Sequence, residues 1–331
     1  MNALLLTEYM KLELAPMPEP EVGPDDVLIR VRACGICGSD VHGLDGSTGR
    51  RIPPLVMGHE AAGEVTAIGA NVRDLGPGDR VTFDSTIYCG HCSYCARGEV
   101  NLCDDREVIG VSPGPYRRHG AFAEYVAVPR RVVYRLPDAL SYEHAAMIEA
   151  VSVAMHAVNL TPIRLGDTAV VIGSGMIGVL TMQALRAAGC ARVIAIDPNQ
   201  ERLALARQLG ATECLTAPAP LDANLAIECV GNQDAVRAAI SAVRKGGAVT
   251  LVGNVAPVVD LPLQQVVTRQ LRLQGSCASC GEYPAAIDLM AQGIIQVDPL
   301  ISAVAPLAEG AEWFGKLYRR EPNLMKVILR P

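Results

Sequence analysis

Over roughly the first 145 residues, apolar and polar positions alternate in short runs that glycine and proline interrupt. Residues 3–6 (ALLL), 26–33 (DVLIRVRA), 63–69 (GEVTAIG), 79–83 (DRVTF) and 121–128 (AFAEYVAV) carry strand character, and PMPEPEVGPDD and LGPGD carry turn chemistry between them. This predicts a β-rich first domain with no internal repeat. Near residue 140 the pattern changes. Residues 141–158 (SYEHAAMIEAVSVAMHAV) form an Ala-rich helical run with Ser141 as its N-cap. Strands and helices then alternate, with strands at 169–172, 192–196, 225–229, 248–252 and 271–275 and a helix at 234–245. About six strands in such an order predict a doubly wound parallel sheet. The chain closes with an amphipathic helix at 284–292 and a strand in MKVILRP. That strand is too short to stand alone and should add to the first domain's sheet. The expected division is 1–148, 149–279 and 280–331, the last segment completing the first domain.

The first βα junction carries a glycine turn, Gly173-Ser174-Gly175-Met176-Ile177-Gly178, after an apolar strand and before a helix that Gly189 closes. Glycines there permit a tight turn and close approach of a pyrophosphate to the positive end of the helix. Asp197, 24 residues after Gly173, ends the second strand, where it can accept hydrogen bonds from ribose hydroxyls. A carboxylate at that point prefers the ribose diol of NAD and repels the 2′-phosphate of NADP. Arg202, five residues on, can soften that repulsion.

Two clusters carry metal chemistry. Residues 34–42 (CGICGSDVH) gather a thiol, a hydroxyl, a carboxylate and an imidazole at Cys37, Ser39, Asp40 and His42. Twenty-two residues after Cys37 comes His59, with Glu60 beside it in GHE. A Cys and a His brought together beside a carboxylate suit one zinc ion, although either alone also fits an ordinary buried side chain. Glu149, an acid in an otherwise small and apolar segment, is a further candidate ligand, because buried acids are rare unless paired or ligating. The second cluster is Cys89, Cys92, Cys95 and Cys103, spaced CxxCxxCx7C. Four thiolates on so short a loop close a tetrahedron around zinc and leave no open position, which makes the role structural. An iron–sulfur cluster is the rival for four Cys, but a redox cluster makes little sense beside a separate Cys/His site. His91 stands between the first two thiols as a bystander. Cys277 and Cys280 form another CxxC with no second pair nearby and are taken as structural thiols.

Composition narrows the partners. A formal charge of −6 with 19% charged residues gives no general attraction for phosphate backbones or anionic lipid, so neither nucleic acid nor membrane is an expected partner. No segment stays apolar over the ~18 residues of a membrane span, and the start has no long apolar core, which points to the cytoplasm. Eleven cysteines, an odd number in short spacings, argue for metal ligands and reduced thiols over disulfides.

Taken together, CGICGSDVH, GHEAAGEV, the four-Cys lobe, GSGMIG and the terminal strand resemble the zinc-dependent medium-chain alcohol dehydrogenases over nearly the whole chain. IEAVSVAMHA and AIECVG are most similar to the sorbitol and polyol branch. The resemblance implies an α/β protein with a GroES-like catalytic domain split around a Rossmann nucleotide domain, zinc at the cleft and the nicotinamide against it. It implies Cys37 and His59 as zinc ligands, Asp40 as the acid that orients the ligating His, and Ser39 and His42 as a proton relay. Relatives commonly place a second Cys as third ligand, but no Cys lies between Cys103 and Cys190, so Glu60 or Glu149 is expected to fill that place. Two departures bear on the substrate: Glu149 precedes Ala150 where relatives often carry Glu-Pro, and residues 277–280 (CASC) replace a segment in which some sorbitol enzymes place an Arg. The expected activity is NAD-dependent oxidation of a secondary alcohol, a polyol or sugar derivative, to a ketone. It would use one catalytic and one structural zinc in a homodimer or homotetramer. Threonine, a small diol, a sugar-alcohol phosphate and an aminocyclitol are alternative substrates. A dinucleotide sensor without turnover is the alternative from another class, against which the intact Ser39 and His42 argue.

Overall fold

The N-terminal alternation becomes a hairpin in the computed structural model, which describes residues 1–112 and 118–331. β1 (Asn2–Glu8) turns at Met10, whose φ is 64°, and returns as β2 (Lys11–Pro16), with β4 (Leu55–Val56) on the other edge of β1. β3 (Asp26–Gly35) is buried along most of its length because it lies inside the main sheet. β5 (Glu60–Ile68) pairs antiparallel with β3, β6 (Arg80–Phe83) with β5, and β10 (Val133–Arg135) with β6. β9 (Tyr125–Pro129) lies along the first half of β3. Two bulges in the β3–β5 ladder leave Cys34 opposite Ala61 and Gly35 opposite Glu60, so the end of one strand faces the start of the next. Just past that end, α1 (Gly38–Gly43) begins with Cys37 as its N-cap. β7 (Thr86–Ile87) and β8 (Glu107–Val108) form a two-stranded ribbon, and α2 (Ser93–Ala96) lies between them in sequence.

The helical run at 141–158 divides in two. Ser141 does cap α3 (Tyr142–Ala145), accepting from the His144 amide at 3.1 Å, but the helix stops there and α4 (Ile148–Asn159) starts afresh.

The β/α alternation builds a six-stranded, wholly parallel sheet from β11 (Thr168–Ile172), β12 (Arg192–Ile196), β13 (Glu213–Leu215), β14 (Ala223–Glu228), β15 (Val243–Leu251) and β16 (Arg272–Gly275). Their spatial order is β13-β12-β11-β14-β15-β16, the doubly wound order. The inner strands are near-continuous apolar runs because helices cover such a sheet on both faces. α5 (Met176–Ala187), α6 (Gln200–Gln208), α7 (Gln233–Ala242) and α8 (Leu263–Thr268) are the connections. The helix expected to reach residue 245 ends at Ala242. Gly246, at φ 69°, and Gly247, where a Cβ would meet Arg244 O at 2.9 Å, instead belong to β15.

After α9 (Tyr283–Ala291), β17 (Ile301–Pro306) and β18 (Lys326–Arg330) return to the first sheet, with α10 (Gly310–Tyr318) between them. β18 runs parallel to β17 and antiparallel to the end of β3, with Ile328 opposite Gly35 and Leu329 opposite Cys34. α10 supplies Phe314, which meets Phe122 edge-on at 5.5 Å in the same core as Leu4, Ile29, Met57 and Phe83. Each such side chain contributes roughly 1.5–3 kcal/mol when fully buried. The chain divides into a first unit of Met1–Glu149, Tyr283–Ala291 and Leu300–Pro331 and a second of Ala150–Glu282 and Gln292–Pro299. Three segments differ from the sequence-based division: Glu149 lies in the first unit, and residues 280–282 and Gln292–Pro299 lie in the second. Among the described residues no helix is long and apolar enough to cross a membrane.

Candidate metal centres and nucleotide turn

Strand ends assemble the first centre. β3 delivers Cys37 just beyond its last residue and β5 opens with Glu60, so Cys37, His59 and Glu60 bring their ligand atoms within 4.8 Å of one another. His59 and Glu60 are buried, with 6% and 1% of their surface exposed. The preceding Gly58 has φ 96°, and a Cβ there would lie 2.8 Å from Phe122 N and 2.9 Å from Cys34 Sγ. Only glycine passes through that gap.

Polar neighbours hold the centre on both sides. Asp40, wholly buried on α1, sets Oδ2 3.4 Å from His59 Nδ1, which leaves Nε2 as the nitrogen available to a metal. Burial favours the protonated form of Asp40, but His59 and Arg51 outweigh it and hold the carboxyl at about 2. Burial likewise opposes charge on His59, yet Asp40 and Cys37 raise its pKa well above the usual imidazole range. Surroundings negative enough to keep a proton on a buried imidazole are also those that would hold a cation, so the donor set fits a zinc ion. Glu60 forms an ion pair with Lys326, whose Nζ also donates to Ile36 O at 3.2 Å. Against burial, Glu60 and then Cys37 keep that ammonium above its ordinary pKa.

The structure brings Ser39 to the same place. Its Oγ donates to Cys37 Sγ at 3.3 Å and accepts from Arg51 Nη2 at 3.2 Å. His42, three residues further along α1, is exposed. Glu149 is outside the 4.8 Å group, although His59, Glu60 and Lys326 all act on it. Burial, with Glu60 and Asp84 adding to it, pushes its carboxyl up to about 7. Tyr283 is fully buried, stacks on Tyr134 at 5.0 Å, and its hydroxyl has no hydrogen-bond partner among the described residues.

Three buried residues of this site escape a reading of the sequence: Arg51, Lys326 and Tyr283. Lys326 carried a signal only in part, as a cation opening an apolar terminal strand that Arg330 closes. Arg51 carried none, because Arg50 beside it is indistinguishable in the string and is exposed.

The second centre is local. Cys89, Cys92, Cys95 and Cys103 place their sulfurs within 4.8 Å of one another. Backbone amides point at the sulfurs, Cys89 N to Cys103 Sγ at 3.2 Å and Cys92 N to Cys89 Sγ at 3.4 Å. The Cys95 and Asp104 amides lower the Cys92 thiol to about 6, whereas burial, with Cys92 and Cys103 adding to it, raises Cys95 to about 12. Four sulfurs this close ionise together only around a cation, which the set fits. His91 is exposed and sits on Cys89 O at 3.2 Å, with Asp105 4.0 Å from its other nitrogen. Cys277 and Cys280 belong to no such group of ligands among the described residues.

In the second unit the glycine turn is built for close approach. Gly173 has φ 92°, a Cβ on Gly178 would stand 1.8 Å from Gly173 O, and nothing lies within 4 Å of a Cβ on Gly175. Gly178 therefore packs helix on strand and Gly175 leaves an open cradle at the N-terminus of α5, where Met176 and Ile177 follow, and a pyrophosphate fits there. Asp197 is buried, accepting from Ser174 N and Asn199 N at 2.8 Å each. Arg202 lies exposed in the first turn of α6.

Comparison with known proteins adds an independent line. Residues 23–138 match the family model described as an alcohol dehydrogenase GroES-like domain, and residues 177–292 the one described as a zinc-binding dehydrogenase. The chain is 31% identical to sorbitol dehydrogenase of Bacillus subtilis, the match covering 100% of this chain and 97% of that protein. It is 35% identical to D-arabitol-phosphate dehydrogenase of Enterococcus avium, over 97% and 94%. A zinc-binding dehydrogenase from Sinorhizobium meliloti, solved with NADP bound, superposes with a TM-score of 0.91 at 34% identity, over 100% of this chain and 99% of that one.

Proposed function

Because this chain belongs to the zinc-dependent medium-chain alcohol dehydrogenases, in their polyol branch, we propose that it oxidises a secondary alcohol of a polyol or sugar derivative to a ketone, with NAD as hydride acceptor. The observation that carries this reading is the meeting of Cys37, His59 and Glu60 with the Ser39 hydroxyl 3.3 Å from the Cys37 sulfur, a metal donor set with a proton acceptor beside it.

Cys37 and His59 would hold a catalytic zinc, with Glu60 as third ligand and Glu149 exchanging with it as substrate arrives. A bound zinc supplies a Lewis acid that lowers the pKa of an alcohol, and a bound nicotinamide supplies the hydride acceptor. Asp40 fixes the tautomer and ring plane of His59. Ser39 accepts the proton of the substrate hydroxyl as it gives up its own, and the exposed His42 hands a proton on to solvent. Cys89, Cys92, Cys95 and Cys103 would hold a second, structural zinc. The choice of NAD is supported by Asp197, a buried carboxylate where a 2′-phosphate would have to be accommodated, and Arg202 is the residue that could admit NADP. A homodimer or homotetramer in the cytoplasm belongs to the same proposal.

The test is a panel of polyols, their phosphates, small diols and threonine, assayed with NAD and NADP and read as reduced-nucleotide absorbance. Oxidation of at least one polyol or polyol phosphate with NAD well ahead of NADP is expected. Turnover of threonine alone, or equal use of NADP, would refute the substrate class or the cofactor assignment respectively.

A further inference from the structure

Arg51 is 4% exposed, and a buried guanidinium is costly unless its donors are used. Its Nε and Nη2 both reach Asp40 Oδ1, at 3.0 and 2.8 Å, and Nη2 is shared with Ser39 Oγ at 3.2 Å. The fold makes room for it: Gly43 closes α1 beside the arginine stem, and a Cβ there would lie 2.3 Å from Arg51 Cγ.

An ion pair with Asp40 alone would explain the burial but not the sharing with Ser39. Arginine has donors and no acceptor. Ser39 Oγ must therefore accept from Arg51, and the hydroxyl's own proton must point elsewhere, as it does toward Cys37 Sγ. One lone pair of Oγ is occupied and the other is left for an incoming alcohol proton, which the hydroxyl can take up only as it releases the proton it already carries. The same guanidinium anchors Oδ1 of Asp40, so that Oδ2 is the oxygen facing His59 at 3.4 Å.

We propose that Arg51 is a positioning residue that orients the Ser39 hydroxyl to receive the substrate proton and ties it, through Asp40, to the ligating His59. This rests on the reading of Ser39 as proton acceptor. Because one nitrogen serves two oxygens on neighbouring residues, a point charge on a flexible stem does not replace the planar fork.

Arg51→Lys, Ser39→Ala and the double variant test this in zinc-loaded enzyme with NAD and the best polyol of the panel. Arg51→Lys is expected to melt near the wild-type temperature, keep KM, and lower kcat about 10–100-fold, part of the 10²–10⁴ that a positioned proton acceptor supplies. The double variant should be no slower than Ser39→Ala alone, since both changes disable one step. A readout without turnover is the proton released when a fluorinated, unreactive alcohol joins the NAD complex, followed with an indicator dye. Arg51→Lys should slow that release at unchanged final amount. If Arg51→Lys does not fold, Gly43→Ala displaces the arginine stem while retaining its charge, and should give the same kcat loss and the same non-additivity with Ser39→Ala. Multiplicative losses in the double variant, or proton release at the wild-type rate, overturn the proposal while leaving Ser39 in place. Wild-type kcat in Ser39→Ala overturns both.

Discussion

Replacing Lys326 by Met tests how Glu60 is held. In the native protein the two form a buried ion pair at 3% and 1% exposure, and removing one partner leaves a carboxylate with no compensating charge. Breaking such a pair typically costs about 3–5 kcal/mol, which for a domain of this size corresponds to roughly 6–20 °C in Tm. A metal ion at Cys37 and His59 changes the sum, because the same carboxylate has an oxygen within 4.8 Å of those ligand atoms and can turn to the cation. Lys326→Met should therefore lose most of this stability when metal-free and much less when zinc-loaded, so that the zinc-induced rise in Tm is larger in the variant than in the wild type. Differential scanning calorimetry of both proteins, stripped and reloaded, reads all four values. An apo loss below about 2 °C, or an equal loss with and without zinc, would refute the reasoning.

Cys95→Ser should reduce bound zinc from two ions per chain to one and lower Tm or soluble yield, because the metal's binding free energy there is folding free energy; elemental analysis after gel filtration checks it. Gly178→Ala should weaken nucleotide binding at least about tenfold, about 1.4 kcal/mol, since a methyl 1.8 Å from Gly173 O forces α5 away from its strand; calorimetric titration with NAD measures it. Glu282 gives a pH dependence. Burial would raise its carboxyl, but His156 at 2.8 Å, the Cys280 amide and Asn159 hold it below the usual range, so it contributes stability above that range that is lost as pH falls through the depressed value. Glu282→Gln should lower Tm at neutral pH and flatten the decline on acidification; a wild-type-like acid limb in that variant would count against this account.

What could be foreseen in the sequence was local or demanded a particular residue type. The turn at 173–178 is legible because only glycine gives φ 92° at Gly173 and clears the carbonyl beside Gly178, and the four-Cys lobe because its sulfurs converge within one short segment. The parallel strands announced themselves as apolar runs. β4, β7 and β8, of two residues each, exist only because a partner strand arrives from elsewhere, so no periodicity marks them. No glycine or proline marks the break between α3 and α4. Asp40 and Arg51 are 11 residues apart and Glu60 and Lys326 are 266 apart, so only the fold reveals which of several cations each acid receives. Glu149 shows the converse. Its apolar setting singled it out, and the structure leaves it near the metal ligands without joining their group.

The most direct test of the central claim is turnover of a polyol by one preparation before metal removal, after chelation, and after zinc is restored. The account predicts NADH formation by the loaded enzyme, loss of at least about 10²-fold on chelation, and recovery with zinc. Undiminished oxidation by protein shown to be metal-free would contradict it, as would absence of turnover across the whole panel from protein carrying two zinc ions and bound NAD.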